Sequence, residues 1–595
     1  MRILGISDHF ISGAAVIIDG RVVSAVNEER LARMKMVMGF PRKSIEAALA
    51  IAGVRPEELD AVAVASEWGH FLNEYVPFDN GVFGVDEGVV RNLFFSAGSH
   101  LSWLRNKLPI AERLYYDLRR PAFARRRDRI REVLRDEFGI TCPVTFESHH
   151  LCHAAGAHQA SGFDDALVVT LDGAGDGHSA HVYEFRSGRA TRLRTVPSFD
   201  SLGDYYGYVT HICGFKAGKH EGKITGLAAY GDPSYRAIFD RLIRYEDGSM
   251  VNAGNAFRHA AIKKLRSALP KDFSKKDLAA TVQQVAEDIT TSFIAYWQER
   301  TGLSNVALAG GVFANVKINQ RVHELPGVSS VFVYPAMSDE GIAAGAALIR
   351  WSEATGTWAP SRCFDHVYLG PEFTDKEMEN ALQSKAITFT RPAEPEVEVA
   401  RMVADGRVVA RFAGRMEYGP RALGNRSILY RPDEPEVNDW LNKRLGRTEF
   451  MPFAPAAIAE DAHLYFDGLD GTHDTARFMT ITYNCTDLMQ KTCPGVVHVD
   501  GTARPQLVSE SDNPSYYRIL TEYKRLTGQS CFVNTSFNIH EEPIVCTPSD
   551  AIRAFTKGHL DVLAVGPFIA ENQQPESRGR RHGDARADVE GSVAR

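Results

Sequence analysis

The sequence has no pair of cysteines at the close spacing that common zinc-binding motifs use. Its 8 cysteines are scattered through 595 residues, and no two of them form a C-x-x-C pair. This distribution excludes the common zinc ribbons and argues against a disulfide framework. Cys213 and Cys531 stand among apolar neighbours, and we expect both to be buried thiols.

A basic leader and long apolar runs are also missing. The first residues, MRILGISDHF, contain neither a basic start nor a long apolar stretch. No run elsewhere reaches the roughly 18 apolar residues that a membrane span needs. We therefore expect a protein of the reducing cytoplasm that has no membrane partner.

Positive charge is not in excess. The formal net charge is -7 and the pI is near 6.3, whereas nucleic-acid binding requires clustered cations. The arginine-rich stretch at 119–131 (RRPAFARRRDRIR) is most simply a solvated helix face. No nucleic-acid partner is expected.

The length predicts more than one domain, because a chain of 595 residues is too long for a single compact core. We predict a first α/β domain at 1–360, a polar junction at 361–398, a second α/β domain at 399–570 and a disordered tail at 571–595. An arginine-rich helical insertion is predicted at 105–138.

The first domain repeats one layout of three strands followed by helices. The strands are predicted at 2–6, 14–18 and 21–26, and again at 166–171, 181–185 and 190–196. This repeat predicts two α/β lobes with a ligand cleft between them. Chance similarity of two hairpins is the alternative.

Two histidines and two aspartates form a candidate metal site. On a helix, His149 and His153 are four residues apart and share one face, as a bidentate metal platform requires. Asp172 and Asp339 follow predicted strands, and such residues face the ligand side of an α/β cleft. This donor set suits Fe(II), Zn(II) or Mn(II), although the histidine pair alone is ambiguous.

Three glycine-bearing segments are candidates for contact with phosphate. Gly310 and Gly311 separate a strand from a helix start and would expose backbone N–H groups to an anion. A second turn spans 172–177 (DGAGDG), and Lys223 follows Gly222 in a third segment. Plain tight turns are the alternative for each of them.

The second domain carries arginines where predicted strands end. The loop at 415–427 holds three of them, including Arg421, while Arg504 follows a later turn. The strand at 531–536 runs into amide and hydroxyl groups, including Asn534 and Ser536. Guanidinium groups bind phosphate and carboxylate oxygens, so this domain suits a small phosphorylated compound. Unrelated surface loops are the alternative.

These segments together resemble the O-carbamoyltransferase family of antibiotic tailoring and nodulation-factor synthesis. The resemblance covers residues 1 to about 570, and its motifs occur in the family order. They are EERLARMK, HHLCHA, LDGAGDG, EGKITGLAAYG, GGVFAN, SDEGIAAGAA, GPRALGNRS, PFAPA, HVDGTARPQ and NTSFN.

The resemblance implies a duplicated actin-like and sugar-kinase-like domain fused to a YrdC-like α/β domain. The first would hold Fe(II), or another divalent metal, through His149, His153, Asp172 and Asp339. The second would form carbamoyl adenylate and pyrophosphate from carbamoyl phosphate and ATP with Mg²⁺. The carbamoyl group would then pass to a hydroxyl of a small acceptor, such as a glycosylated natural product. A homodimer is one assembly that the resemblance allows.

The resemblance also assigns individual roles. It makes His9, Arg421 and Arg504 catalytic and places cofactor contacts at Lys223, Gly226, Gly310, Gly311, Asn315, Gly341, Arg447, Asn534 and Ser536.

This sequence departs from the family pattern in three places. His9 is followed by Phe10, where many relatives have His-Asp. Leu445 and Met451 stand where relatives carry cations before PFAP, so that Arg447 remains and Lys443 or Arg444 would have to reach the same anion. His220 precedes Glu221 where an acid is common.

Other functions share parts of this pattern. A tRNA threonylcarbamoyl transferase has the metal domain but works as a separate chain. A hydrogenase-maturation carbamoyltransferase carries zinc-finger cysteine pairs, which are absent here. A sugar kinase explains the duplicated lobes but not the arginine-bearing second domain. A non-catalytic nucleotide-binding protein is disfavoured because both candidate sites keep most of their residues.

Overall fold

The computed structural model describes residues 1–78, 109–358, 362–447 and 452–572, with backbone alone at 109–120. Within these ranges, no helix has both the length and the apolar character needed to cross a bilayer. The predicted tail and the residue Met451 lie outside the described residues, apart from the first two residues of the tail.

The first lobe is a five-stranded sheet with strand order β3-β2-β1-β4-β5. Strands β1 and β4 are parallel central neighbours and are apolar on both faces, as fully covered strands are. The elements are β1 Arg2–Ser7, β2 Gly13–Ile18, β3 Arg21–Asn27, α1 Glu28–Ala32, α2 Arg42–Ala52, β4 Ala61–Ala65, α3 Pro109–Phe138, β5 Val144–Glu147 and α4 His149–Ser161, with a 3-10 turn at Pro56–Glu58.

The second lobe repeats this topology and confirms the predicted duplication. Its main sheet has the order β8-β7-β6-β11-β12, which is the order of the first lobe element for element. The elements are β6 Ala166–Gly175, β7 His178–Arg186, β8 Arg189–Pro197, α5 Leu202–Ile212, α6 Glu221–Ala228, α7 Arg236–Phe239, β9 Arg244–Glu246, β10 Ser249–Val251, α8 His259–Ala268, α9 Lys275–Thr301, β11 Asn305–Ala309, α10 Val316–His323, β12 Ser330–Val333 and α11 Ile342–Thr355, with 3-10 turns at Ser198–Asp200, Gly311–Ala314 and Asp339–Gly341.

Two helices rich in small residues, α4 and α11, pack together between the lobes. A β-carbon at Gly345 would lie 1.9 Å from the carbonyl oxygen of Cys152, and one at Gly5 would lie 1.9 Å from that of Ala343. The glycines therefore allow main chains to touch. This close packing brings the start of α4 beside the turn that precedes α11.

The C-terminal domain is a mixed α/β unit around a seven-stranded sheet with the order β18-β15-β19-β14-β13-β20-β21. Its elements are α12 Asp375–Ser384, α13 Pro395–Ala404, β13 Val409–Phe412, β14 Arg426–Tyr430, α14 Val437–Arg444, β15 Ala454–Ile458, α15 His473–Ala476, β16 Tyr483–Asn484, α16 Asp487–Thr492, β17 Thr502–Ala503, β18 Gln506–Val508, α17 Pro514–Thr527, β19 Cys531–Ser536, α18 Pro548–Lys557, β20 Val562–Val565 and β21 Phe568–Glu571, with 3-10 turns at Ala459–Leu464 and Pro494–Val496. Its likeness to YrdC stays a prediction.

The two domains are joined by a common core and by hydrogen bonds. One cluster of buried side chains runs from Ile3 in β1 to Leu423 and Phe478 in the C-terminal domain. The segment predicted as a polar junction contains α12, whose Met378 and Leu382 are buried in the C-terminal core. This part of the chain is therefore packed structure.

The structure corrects two local predictions and excludes one alternative. Within the segment 172–177, which was predicted as a flexible turn, only Asp176 and Gly177 form the turn, because β6 continues through Gly175. Lys223 lies in the helix α6, which packs against α9, because the surrounding residues bury an apolar face there. The stretch 119–131 was predicted to be a solvated helix face, but Arg126 within it, on α3, is fully buried.

Candidate metal and anion sites

The four predicted metal ligands meet at one point between the lobes. Their ligand atoms all lie within 4.8 Å of one another. His149 Nε2 and His153 Nε2 are 3.2 Å apart and lie 3.3 and 3.2 Å from Asp172 Oδ2. The same two nitrogens are 3.5 and 3.4 Å from Asp339 Oδ1. The histidines come from the start of α4, Asp172 from β6, and Asp339 from the turn before α11.

The electrostatics of this cluster favour a cation. Burial alone would raise the pKa of Asp172, but hydrogen bonds with His149 and His153 outweigh it and hold that pKa below its usual range. Burial raises the pKa of Asp339, and the neighbouring charge of Asp172 adds to the rise. Opposite shifts are what two crowded carboxyl groups produce, and a divalent cation would stabilise both in the charged form.

A neighbouring side chain orients one of the two candidate histidine ligands, His149. Ser66 Oγ lies 3.1 Å from His149 Nδ1, which leaves Nε2 of that ring for the cluster. His150 turns away, as the helix periodicity predicts, and its ring nitrogens contact Thr170 Oγ1 and the carbonyl of His178. The donor set of two imidazoles and two carboxylates fits Fe(II), Zn(II) or Mn(II).

His9 has an acidic partner on the side opposite to that expected. Its Nδ1 lies 2.9 Å from Oδ1 of Asp8, the residue before it, and Asp8 is held by the buried Arg126. Its Nε2 is buried without a hydrogen-bond partner among the described residues. A β-carbon at Gly69 would lie 1.7 Å from that nitrogen. Asp8 thus engages Nδ1 and leaves Nε2 as the nitrogen that would act as a base, and the catalytic role of His9 stays a prediction.

The glycines at 310 and 311 lie against the metal cluster. A β-carbon at Gly310 would lie 2.1 Å from the carbonyl oxygen of Leu171, and one at Gly311 would lie 3.0 Å from Asp172 Oδ1. The N–H of Gly310 donates to the carbonyl of Met337. Gly341 is glycine for packing, because a β-carbon there would lie 2.0 Å from the oxygen of Ala336.

The remaining predicted nucleotide contacts lie around α6 and the start of α10. Lys223 and Gly226 are buried in α6. Asn315 caps α10 by accepting from the N–H of Ile318, and its side chain also contacts Gln283. His220, before α6, reaches across to Glu541 of the C-terminal domain at 3.1 Å.

The structure brings Arg421 and Arg504 together in the C-terminal domain. Burial lowers the pKa of Arg421 to about 10, and burial with the like charge of Arg421 lowers that of Arg504. Neither Nε has a hydrogen-bond partner among the described residues. Asn534 Nδ2 donates to the carbonyl of Ala422 and to Gln506 Oε1, which ties together the segments that carry the two arginines. Its Oδ1 is buried and has no partner in the described part of the chain.

The other predicted contacts of this domain bind protein groups. Arg447 donates to the carbonyls of Ser536 and Asn538 and to the Thr535 hydroxyl. Arg444 is paired with Asp561 at 2.8 Å, so it does not replace a missing cation.

Leu445, at a position where the family pattern has a cation, is a buried core residue. Lys443 beside it is exposed.

The loop that carries Arg421 packs against the turn that carries Asp339. Tyr418 donates to the carbonyl of Glu340, and a β-carbon at Gly419 would lie 2.9 Å from the oxygen of Pro335. Glu340 is the acidic group whose charge acts on Arg421. The anion site and the metal site therefore adjoin across the domain interface.

Sequence patterns missed several supporting residues. Asp8 directly precedes His9, whereas the family pattern places the acidic residue after the histidine. Arg126 belongs to a charge-rich stretch with no signal that one member is buried, and the hydroxyl of Tyr418 has no pattern at all.

Known proteins are similar to this chain along most of its length. Residues 2–348 match the family described as "Carbamoyltransferase N-terminus", and residues 400–572 match "Carbamoyltransferase C-terminus". "Nodulation protein NolNO" of Sinorhizobium fredii is 33% identical over 584 residues, covering 96% of this chain and 80% of that protein. "Nodulation protein NolO" of Bradyrhizobium diazoefficiens is 35% identical over 439 residues, covering 72% and 79%. A solved structure, "Crystal structure of T.kodakarensis HypF", covers 60% of this chain and 48% of its own, with a TM-score of 0.36 and 11% identity.

Proposed function

The chain belongs to the carbamoyltransferase family and is a carbamoyltransferase, and from that premise we propose that it is an ATP-dependent O-carbamoyltransferase. Water hydrolyses carbamoyl phosphate to carbamate and inorganic phosphate, and a carbamate oxygen then attacks the α-phosphorus of ATP with release of pyrophosphate. The resulting carbamoyl adenylate gives its carbamoyl group to a hydroxyl of a glycosylated natural product or sugar. AMP leaves.

One observation supports this proposal: two guanidinium groups whose Nε atoms have no hydrogen-bond partner among the described residues adjoin a cluster of four candidate metal ligands across a domain interface. Arg421 and Arg504 are like charges with open donors, an arrangement that an anion stabilises. Asp339 lies beside Glu340, whose charge acts on Arg421. An activation site and a transfer site side by side suit a two-step transfer.

In the activation site, we assign the phosphate oxygens of carbamoyl phosphate to Arg421 and Arg504. The open Oδ1 of Asn534 would accept from the carbamoyl NH₂ group, which distinguishes this substrate from inorganic phosphate. Ser536 and Asn538 are held in place by Arg447. Arg447 therefore shapes the site from behind.

In the transfer site, His149, His153, Asp172 and Asp339 would hold the metal, for which we propose Fe(II) with Zn(II) and Mn(II) as alternatives. A divalent ion there supplies polarisation of the carbonyl or phosphate oxygens of the adenylate. The protein's part is to orient these four groups.

The nucleotide of the adenylate would lie along Gly310 and Gly311, beside the metal cluster. A substituent at Gly311 would point at Asp172 Oδ1, so a phosphate that approaches this backbone comes close to the ligands. We assign Lys223, Gly226 and Asn315 to the same nucleotide contacts. ATP with Mg²⁺ is the corresponding substrate of the activation step.

A product assay tests this function against its alternatives. The protein is incubated with ATP, carbamoyl phosphate and acceptors such as an aminoglycoside or a chitooligosaccharide, and the products are resolved by chromatography and mass spectrometry. We expect AMP, pyrophosphate and an acceptor that has gained a carbamoyl group.

The alternatives give different products. A sugar kinase would release ADP and phosphorylate the acceptor without carbamoyl phosphate. A threonylcarbamoyl-type transferase would modify tRNA. Release of ADP in place of AMP, or modification of tRNA, would refute the proposal.

A further inference from the structure

The turn between β6 and β7 consists of Asp176 and Gly177, and both residues have positive φ values, 49° and 82°. Two such residues form the type I′ turn that suits a tight hairpin, and Asp-Gly is a favoured pair for it. A turn alone would leave the aspartate side chain in solvent. Here the side chain is engaged.

The carboxylate of Asp176 accepts hydrogen bonds from three main-chain N–H groups. Its Oδ2 accepts from His149 at 2.8 Å and from Glu67 at 3.0 Å, while Oδ1 accepts from Trp68 at 3.0 Å. His149 and the segment 66–68 follow strands of the first lobe, whereas Asp176 belongs to the second. One side chain therefore ties both lobes together at the start of α4.

This contact replaces a missing helix cap. The residue in the N-cap position of α4, Ser148, makes no capping hydrogen bond with its side chain, although such a bond ordinarily satisfies the first N–H groups of a helix. Asp176 satisfies the N–H of the first helical residue, His149. A negative charge at this end of the helix is also favourable.

The same hairpin and loop fix the ring of His149. A β-carbon at Gly175 would lie 2.0 Å from Cδ2 of that ring, so the hairpin backbone rests on the imidazole. Ser66, in the segment that Asp176 holds, lies 3.1 Å from Nδ1. Three contacts thus fix His149: its N–H binds Asp176, its ring lies against Gly175, and its Nδ1 lies beside Ser66. Gly175 and the segment of Ser66 are both positioned at Asp176.

We propose that Asp176 is a positioning residue that aims His149 Nε2 at the metal cluster. The inference rests on the proposed metal site and deepens it. Its observable consequence is a loss of metal affinity and a change in ligand geometry when the carboxylate is removed and the turn is kept.

The chain contains a matched turn without these contacts. Asp19 and Gly20 have φ values of 49° and 82°, the same as those of Asp176 and Gly177. Asp19 is exposed, and its carboxylate pairs with the terminal amine of Met1. Asp19→Gly therefore reproduces the turn chemistry of Asp176→Gly without touching the metal cluster.

The experiment titrates the metal-free full-length protein with Co(II) and records affinity and visible absorption. Asp176→Gly, which suits a positive φ, is expected to weaken binding by about 10- to 100-fold, as removal of an outer partner of a metal ligand does. Its Co(II) spectrum should change as well. Asp19→Gly should bind like the wild type. Asp176→Asn, which keeps one acceptor oxygen, should have a Co(II) affinity between those of Asp176→Gly and the wild type.

Each other outcome overturns the inference. If Asp176→Gly matches the wild type in affinity and spectrum, Asp176 is only a turn residue, and the metal site itself stands. If Asp19→Gly loses as much affinity, the effect is a general one of turn stability. If the wild type binds no Co(II), the metal site fails together with this inference. Should Asp176→Gly not fold, Asp176→Asn decides by the same two readouts.

Discussion

The hydroxyl of Tyr418 donates a 2.6 Å hydrogen bond to the main-chain carbonyl of Glu340. Both residues are buried, and Asn27 Nδ2 donates to the same carbonyl at 3.1 Å. Glu340 follows the metal ligand Asp339 directly. The C-terminal domain therefore helps to hold a ligand of the site in the other domain.

Tyr418→Phe should weaken metal binding, because the carbonyl of Glu340, next to Asp339, loses one of the two side-chain hydrogen bonds that it accepts. We expect a several-fold loss of Co(II) affinity by titration. The control is Tyr483→Phe, whose hydroxyl bonds to Thr472 inside the C-terminal domain. Each variant loses one buried hydrogen bond, worth about 1 kcal/mol. Equal metal affinities in the two variants would contradict the prediction.

His149→Ala combined with His153→Ala should abolish carbamoyl transfer and remove the bound metal. Carbamoyl-dependent formation of AMP and pyrophosphate from ATP should survive, since Arg421 and Arg504 lie in the other domain. Elemental analysis and product assays measure both. His158→Gln, also on α4 but stacked on Phe185, is the control. A double variant that keeps its metal and its transfer activity would rule out the assignment.

Arg504→Met should separate function from stability. Loss of one charged contact to an anion costs about 2–5 kcal/mol, so the required carbamoyl phosphate concentration should rise tenfold or more. The melting temperature should stay or rise, because the variant removes a cation that is disfavoured by burial and by the like charge of Arg421, and whose Nε has no partner among the described residues. Arg477→Met, which breaks an ion pair with Asp512, should lower the melting temperature and leave the required carbamoyl phosphate concentration unchanged. Normal saturation by carbamoyl phosphate in Arg504→Met would refute the anion site.

Asp8→Asn should destabilise the protein by about 3–5 kcal/mol at neutral pH, because it leaves Arg126 buried without its partner. Arg126 and His9 outweigh the effect of burial and hold the pKa of Asp8 well below its usual range. The pair therefore stabilises fully above the unfolded value near 4 and loses its effect as pH falls below it.

Chemical denaturation at neutral pH and at about pH 3 measures this dependence, and the gap between wild type and Asp8→Asn should narrow on acidification. Adding Arg126→Met should restore part of the stability. A gap that is independent of pH would contradict the ion-pair explanation.

The meeting of the four candidate metal ligands was the most predictable feature of the site, while their role as ligands stays a prediction. A four-residue spacing places His149 and His153 on one helix face, and strand ends place Asp172 and Asp339 at one cleft, so periodicity suffices. The duplicated strand order was predictable for a similar reason, since short apolar strands and Asp-Gly or Ser-Gly turns are local signals.

What failed depends on contacts between distant segments. Nothing local distinguishes the buried Arg126 from its exposed neighbour Arg125, because burial is decided by Asp8 on another element. A surface turn was the alternative for the glycine-flanked Lys223, yet packing against α9 makes that segment a helix. Glu340 lies between the candidate metal cluster and Arg421 because the two domains pack together there, and no local sequence pattern predicts that contact.

The common core of the two domains has a consequence for the history of the chain. Buried side chains from Ile3 and Ala15 to Leu423 and Phe478 belong to one cluster, so no cut between the domains leaves both halves with a closed core. Splitting the gene, or exchanging one half for that of a relative, would leave an apolar face on each product. Substitutions on the two sides of this boundary must therefore be inherited together.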